Sequence, residues 1–197
     1  MTHSEQLISV LEDVRRQYPA VDLTKPRTFL RNLIFLHNVI TASEHMLEVA
    51  VKCAHGHLRE YYEAHLEEER RHETWLADDL ESAGVDVSAL TISPEAVAMA
   101  GSQYYLIFHV DPAALLGYMA VLECFPLSDE QMALLESAHG KKLCRTLRYH
   151  ATHDVDHGAD LLAVIDKLPA QRFRLVLDNA VQTALYIGSA ISKFEVQ

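Results

Sequence analysis

Apolar residues recur along the chain at spacings of three and four, the period of a helix with one buried face. The period-two alternation that marks a half-buried strand is nearly absent. The pattern predicts a short helix from about residue 3 to 18, closed by Pro19, and a long one from Pro26 to about 54. A third covers roughly 56 to 83 and stops at Gly84. In "TISPEAVAMAG", Ser93 stands as a cap and Pro94 at the first helical position, so a helix opens near 94. Pro112 opens the next, which ends before Pro126, and "LSDEQ" starts a short helix behind another Ser cap. Gly140 separates that one from a helix ended by Pro169, and a last helix fills 170 to about 193. Connections are short, and no linker or repeat stands out. The expectation is all-α, with one domain of seven to eight helices over residues 1–197.

Composition narrows the function classes. A chain of 197 residues, almost half of them hydrophobic, can bury a sizeable core, so disorder is excluded. A net charge of −11 argues against nucleic acid, which needs a basic stripe, and against an anionic membrane surface. Cys53, Cys124 and Cys144 are odd in number and lack a C-x-x-C pair, which fits a reducing compartment better than a disulfide framework. The start of the chain has no basic segment leading into a long apolar run, and no uncharged stretch reaches the roughly 18 residues of a membrane span. A soluble, cytoplasmic protein is expected.

Candidate chemistry begins at residues 147–169, "LRYHATHDVDHGADLLAVIDKLP". At about 100° per residue, with His150 at zero, Asp154 falls near roughly +40° and His157 near roughly −20°. Leu143, Leu147, Leu161, Val164 and Ile165 share that stripe, so these three ionisable residues lie on the face the helix buries. Asp156 points away, and His153 lies at the edge. Burying such groups without partners costs roughly 2–7 kcal/mol for a neutral polar group and more for a charge. A metal ion would satisfy them, and so would a self-contained His–Asp–His hydrogen-bond network.

Two further segments repeat the anomaly. In "YYEAHLEEERRHETWLADDLESAG", Glu63, Glu67, Arg70 and Arg71 point outward, but His65, Glu68, Glu69 and His72 lie near the stripe of Leu58, Tyr62 and Leu76. Glu69 and His72 make a Glu-x-x-His pair of the kind that di-iron carboxylate bundles project inward, and Glu68 with His72 is the alternative at i, i+4. In "DPAALLGYMAVLECFP", Glu123 shares a face with Leu116, Met119 and Ala120. It needs a cation or a raised pKa there, unless it reaches solvent before Pro126. Glu44 shares a stripe with His37, Leu33 and Ile40 and is a further candidate.

The principal set is Glu69, His72, Glu123, His150, Asp154 and His157, with Glu44 and Glu68 as additional candidates. Two divalent ions bring four positive charges, and three carboxylates offset three of them. Six ligands leave coordination positions open on two metals, unlike a closed structural zinc site. A mixed N/O set of this kind suits iron, with manganese as the other option.

The order Glu-x-x-His, a lone Glu in "GYMAVLE", then His-x3-Asp-x2-His resembles the haem-oxygenase-like di-iron oxidases and oxygenases, the iron-containing redox enzymes. The likeness runs from about residue 30 to 190 and includes "HLEEERRHETWLADDLESAG" and "GSQYYLIFHVDPAALLGYMAVLE". It implies a haem-oxygenase-type bundle without haem and two Fe(II) ions per chain, with O2 as co-substrate. It further implies oxidation of an amine, amino acid or fatty-acid-like molecule, with Glu123 at the reacting centre. His65 and His153 would then orient ligands. The expected partner is a small-molecule substrate, with no nucleic acid and no membrane, and a homodimer is left open. Three alternatives stand beside this reading. One is a thiaminase-II-like enzyme, for which Cys124 would be the nucleophile. Another is a haem oxygenase with His37 on iron, although a Gly-rich distal helix is missing. The last is a non-catalytic iron-binding or interaction protein.

Overall fold

The computed structural model describes residues 1–18 and 20–194. Among these are nine α-helices and no strand: α1 (His3–Arg15), α2 (Pro26–Cys53), α3 (His57–Glu69), α4 (His72–Ser82), α5 (Pro94–His109), α6 (Leu115–Glu123), α7 (Asp129–His139), α8 (Arg145–Asp166) and α9 (Ala170–Ile191). The punctuation read from sequence acts as expected. Ser93 accepts from Ala96 N ahead of Pro94, and Ser128 forms a capping box with Gln131. Gly140, at φ 86°, ends α7 in the left-handed region that favours glycine. The predicted stop at Pro19 lies outside the described residues, and α1 already ends at Arg15.

The predicted helix over 56–83 is two helices, so the eight expected segments become nine. The break falls at Arg70 and Arg71, with Arg71 at φ 70°, a left-handed conformation costing a non-glycine residue roughly 1–2 kcal/mol. No Gly or Pro marks it. It is held from outside by Glu44 on α2, whose carboxylate accepts from Arg70 Nη1 at 3.3 Å and from Arg71 N at 3.4 Å. Thr74 Oγ1 donates to the Arg71 carbonyl at 2.7 Å and secures the start of α4.

α6 is the inner helix of the bundle. Leu115 to Ala120 are all buried, and the helix packs against α9, α8 and α5. Gly117 makes this possible, since a Cβ there would lie 2.2 Å from the Val176 carbonyl oxygen of α9. Gly158 does the same for α8, where an added Cβ would stand 3.1 Å from the Glu123 carbonyl oxygen. These approaches carry the end of α6 to the middle of α8. The N-terminal end of α8 is fixed to α4 by buried Asp79, which accepts from Thr146 N at 2.8 Å and Thr146 Oγ1 at 2.6 Å. Two apolar clusters result, one around Leu116, Met119 and Val176 and one around Phe29, Leu33 and Leu76. A cavity lies between them.

Candidate metal centre

Two groups of ligand-type side chains meet at that cavity. In the first, Glu69 ends α3, His72 begins α4 and His150 comes from α8, with one ligand atom from each within 4.8 Å of the others. The break in the chain does not separate the Glu-x-x-His pair: Glu69 Oε2 lies 3.0 Å from His72 Nδ1. The His72 and His150 rings meet edge to face at 5.0 Å. Asp154, one turn along α8, places Oδ1 3.2 Å from His150 Nδ1 and so orients that imidazole.

The second group joins His65 of α3, Glu123 of α6 and His157 of α8 within the same 4.8 Å limit. His65 Nε2 lies 3.3 Å from Glu123 Oε1, and the His65 and His157 rings are 5.5 Å apart. Glu68 reaches His157 Nε2 at 3.4 Å from a position still 56% exposed. Glu68 and Glu69 therefore do not compete for one place, because each faces a different group.

Among the described residues, three buried atoms at the site have no hydrogen-bond partner: Glu123 Oε2, His150 Nε2 and His157 Nδ1. All three belong to residues expected as ligands, and each has a lone pair available in one protonation state. Buried polar atoms are rarely left so, and each unmatched one costs about 1–3 kcal/mol. The donor set is imidazole and carboxylate, with no thiolate in either group. It fits iron or manganese.

Charge is divided unevenly over the site. Burial pushes the Glu123 carboxyl up, with His65 offsetting only part of it and Glu69 and Asp154 adding to it. Burial acts the same way on Glu69, but His72, His150 and His65 outweigh it and hold that carboxyl low. Burial disfavours charge on His65, yet Glu123, Glu69 and Glu68 raise the imidazole's pKa. His150 is raised for the same reason by Asp154, Glu69 and Glu123, against burial. Acidic and basic groups brought this close in a buried cleft, with charge equilibria shifted by burial and by one another, are characteristic of functional sites.

The cavity has a volume of about 300 Å³. His65, Glu69, Glu123, His150 and Asp154 line it, and most of the remaining wall is aliphatic. Among the described residues, no Lys or Arg lines it. The polar exceptions include Asn32 and the hydroxyl pair Ser43 and Tyr118, 3.2 Å apart.

Other sequence expectations fall in different places. Glu44 belongs to the α3–α4 break and stands outside both groups. His65, expected only to orient a ligand, lies within ligand distance. Its position on the buried side of the helix was the available signal. His153 is exposed and stacks on Tyr149. Asp156 is exposed, as the helical phase requires. Cys124 does not line the cavity, and burial and Glu123 push its thiol up to about 12, which disfavours the thiolate a nucleophile needs. His37 does not line the cavity either.

The model of the iron-containing redox enzyme family matches residues 35–186. No curated protein matches the sequence. Among solved structures, the chain is similar to a domain of unknown function with a heme oxygenase-like fold from Shewanella denitrificans. The TM-score is 0.81 at 13% identity, over 96% of this chain and 89% of that one. A TenA homologue from Pseudomonas syringae aligns at TM-score 0.76 and 13% identity, over 98% and 92% of the two chains. A CADD-like protein of unknown function from Nostoc punctiforme aligns at 0.70 and 18%, over 97% and 96%. At these identities the likeness shows the heme oxygenase-like fold and no more.

Proposed function

The chain belongs to the iron-containing redox enzyme family, and from that premise we propose that it is a non-haem di-iron, O2-dependent oxidase or oxygenase of a small organic substrate. The observation that carries the proposal is the pair of ligand groups, with three buried ligand atoms unpartnered, at the wall of an apolar cavity. Glu69, His72 and His150 would hold one ion, and His65, Glu123 and His157 the other. Asp154 and Glu68 stand beside them as the remaining carboxylates. Iron, or manganese in its place, would supply the electrons for O2 and open positions at which it can react.

The chain's own residues do the rest. The aliphatic wall excludes water and receives the apolar part of an amine, amino acid or fatty-acid-like substrate. Burial raises the pKa of the Glu123 carboxyl, and its unpartnered Oε2 is the atom that a bound cation would satisfy. Asp154 fixes the His150 ring, so the ligand atom of that imidazole keeps its direction.

A thiaminase-like reaction lacks its nucleophile, because Cys124 lies off the cavity with a raised pKa. The test is O2 uptake by the Fe(II)-loaded protein, with linear alkylamines, aliphatic amino acids and medium-chain fatty acids added in turn. The reading predicts that one class accelerates uptake and is itself oxidised. Uptake no faster than that of free Fe(II), with every class, would favour a non-catalytic iron-binding role.

A further inference from the structure

A line of ring side chains leaves the first ligand group on the side away from the cavity. The His72 ring centroid lies 4.5 Å from Trp75 and 5.3 Å from Tyr149. Trp75 and Tyr149 meet edge to face at 5.0 Å, and Tyr149 stacks on His153 at 3.9 Å and 15°. Exposure rises along the line: His72 is buried, Trp75 and Tyr149 are half-buried, and His153 is exposed. Neither Trp75 nor Tyr149 lines the cavity. The rings are held in place from both helices. Arg145 Nη2 donates to the Trp75 carbonyl at 2.8 Å, and Asp79 accepts from Thr146 on α8. Trp75 is the only tryptophan of the chain.

We infer that Trp75 and Tyr149 form a one-electron path between the metal centre and the surface, which discharges the oxidised centre when no substrate is present. The inference rests on the iron-and-O2 reading above. Indole and phenol are the neutral side chains that most readily lose a single electron. Here they are in ring contact with a ligand and lead outward, away from the substrate. In the step proposed, Tyr149 loses one electron to the oxidised centre through Trp75 or His72, and its phenolic proton passes to solvent. The centre is reduced by one electron and Tyr149 becomes a neutral radical. An external one-electron reductant of the ascorbate or thiol class returns an electron, and water returns the proton, which restores the phenol. Substrate in the cavity competes for the same oxidising equivalent.

The test uses the Fe(II)-loaded full chain mixed with O2 without substrate and frozen for electron paramagnetic resonance. A tyrosyl radical is expected in the wild type and is expected to be absent in Tyr149→Phe, which keeps the ring and loses the phenol. Longer exposure should place one-oxygen adducts on Trp75, detected by peptide mass spectrometry and suppressed by ascorbate. Iron content of Tyr149→Phe should match the wild type, which separates a lost path from a damaged site. A radical unchanged in Tyr149→Phe, or adducts on cavity-lining Tyr118 in place of Trp75, would overturn the inference. O2 consumed with neither radical nor adduct would overturn it and leave the di-iron reading standing. No O2 consumption at all would overturn the inference, and the substrate-dependent uptake described above then decides the di-iron reading separately.

Discussion

His65 Nε2 on α3 lies 3.3 Å from Glu123 Oε1 on α6, and the other oxygen of that carboxylate is buried with no partner among the described residues. This contact makes His65 a member of the second ligand group. His65→Ala should therefore reduce anaerobic iron content from about two ions per chain to about one. His153→Ala, at the surface, should leave it unchanged. Equal content in both variants would remove His65 from the centre.

The phase of α8 gives a sharper comparison. His150→Ala and His157→Ala each remove an imidazole of one group and should abolish tight binding at that group. Asp156→Ala, on the exposed face of the same helix, should be silent in both iron content and melting temperature. Inductively coupled plasma analysis of anaerobically loaded protein reads all three. Equal losses would mean that the acidic surface, and not the groups, collects the metal.

Glu123 should trade stability for metal. Its carboxyl pKa is raised by burial, so folding favours the protonated form, and the charged form is disfavoured once pH rises above the ordinary carboxylate range. Glu123→Gln removes that burden in the metal-free protein. It should raise the melting temperature at pH 8 by a few degrees, about 2–4 °C per kcal/mol for a chain of this size. The advantage should shrink as pH falls, because wild-type Glu123 then takes up its proton. Calorimetry at two pH values checks the sign. A variant less stable than wild type at pH 8 would contradict it.

Two glycines on different helices separate packing from propensity. At Gly117 a methyl group would meet backbone atoms of α9, at 2.2 Å from Val176 O and 2.8 Å from Ala180 N, and neither can turn aside. Gly117→Ala should cost about 3 kcal/mol or more and displace the helix that carries Glu123. At Gly101 on α5 nothing lies within 4 Å, so Gly101→Ala should stabilise by roughly 0.5–1 kcal/mol. Chemical denaturation of both variants checks the pair.

Much of this architecture is legible in the sequence because its signals are local. Ser93–Pro94, Ser128 and Gly140 mark helix ends that the structure keeps, and the phase of His150, Asp154 and His157 follows from spacing alone. The break at Arg70 and Arg71 is not local. It depends on Glu44, 26 residues earlier by the hydrogen bond to Arg70, so a stretch with no Gly or Pro still divides. Distance in sequence likewise hides the partner of His65, since Glu123 reaches it only through the close packing of α6. The order of the motifs gave the family resemblance. The grouping into His65–Glu123–His157 and Glu69–His72–His150 arises only from how α3, α4, α6 and α8 pack together.

On the function proposed above, the two groups hold two iron ions. Trp75 provides a built-in reporter, because the only indole of the chain lies 4.5 Å from the His72 ring. The most direct measurement is an anaerobic Fe(II) titration that follows Trp75 emission and bound iron together. Saturation is expected near two ions per chain. Emission should be quenched as the first group fills, and this quenching should be lost in His72→Ala. Bound iron near zero in a protein that keeps its helical circular dichroism, with Trp75 emission unmoved, would contradict it.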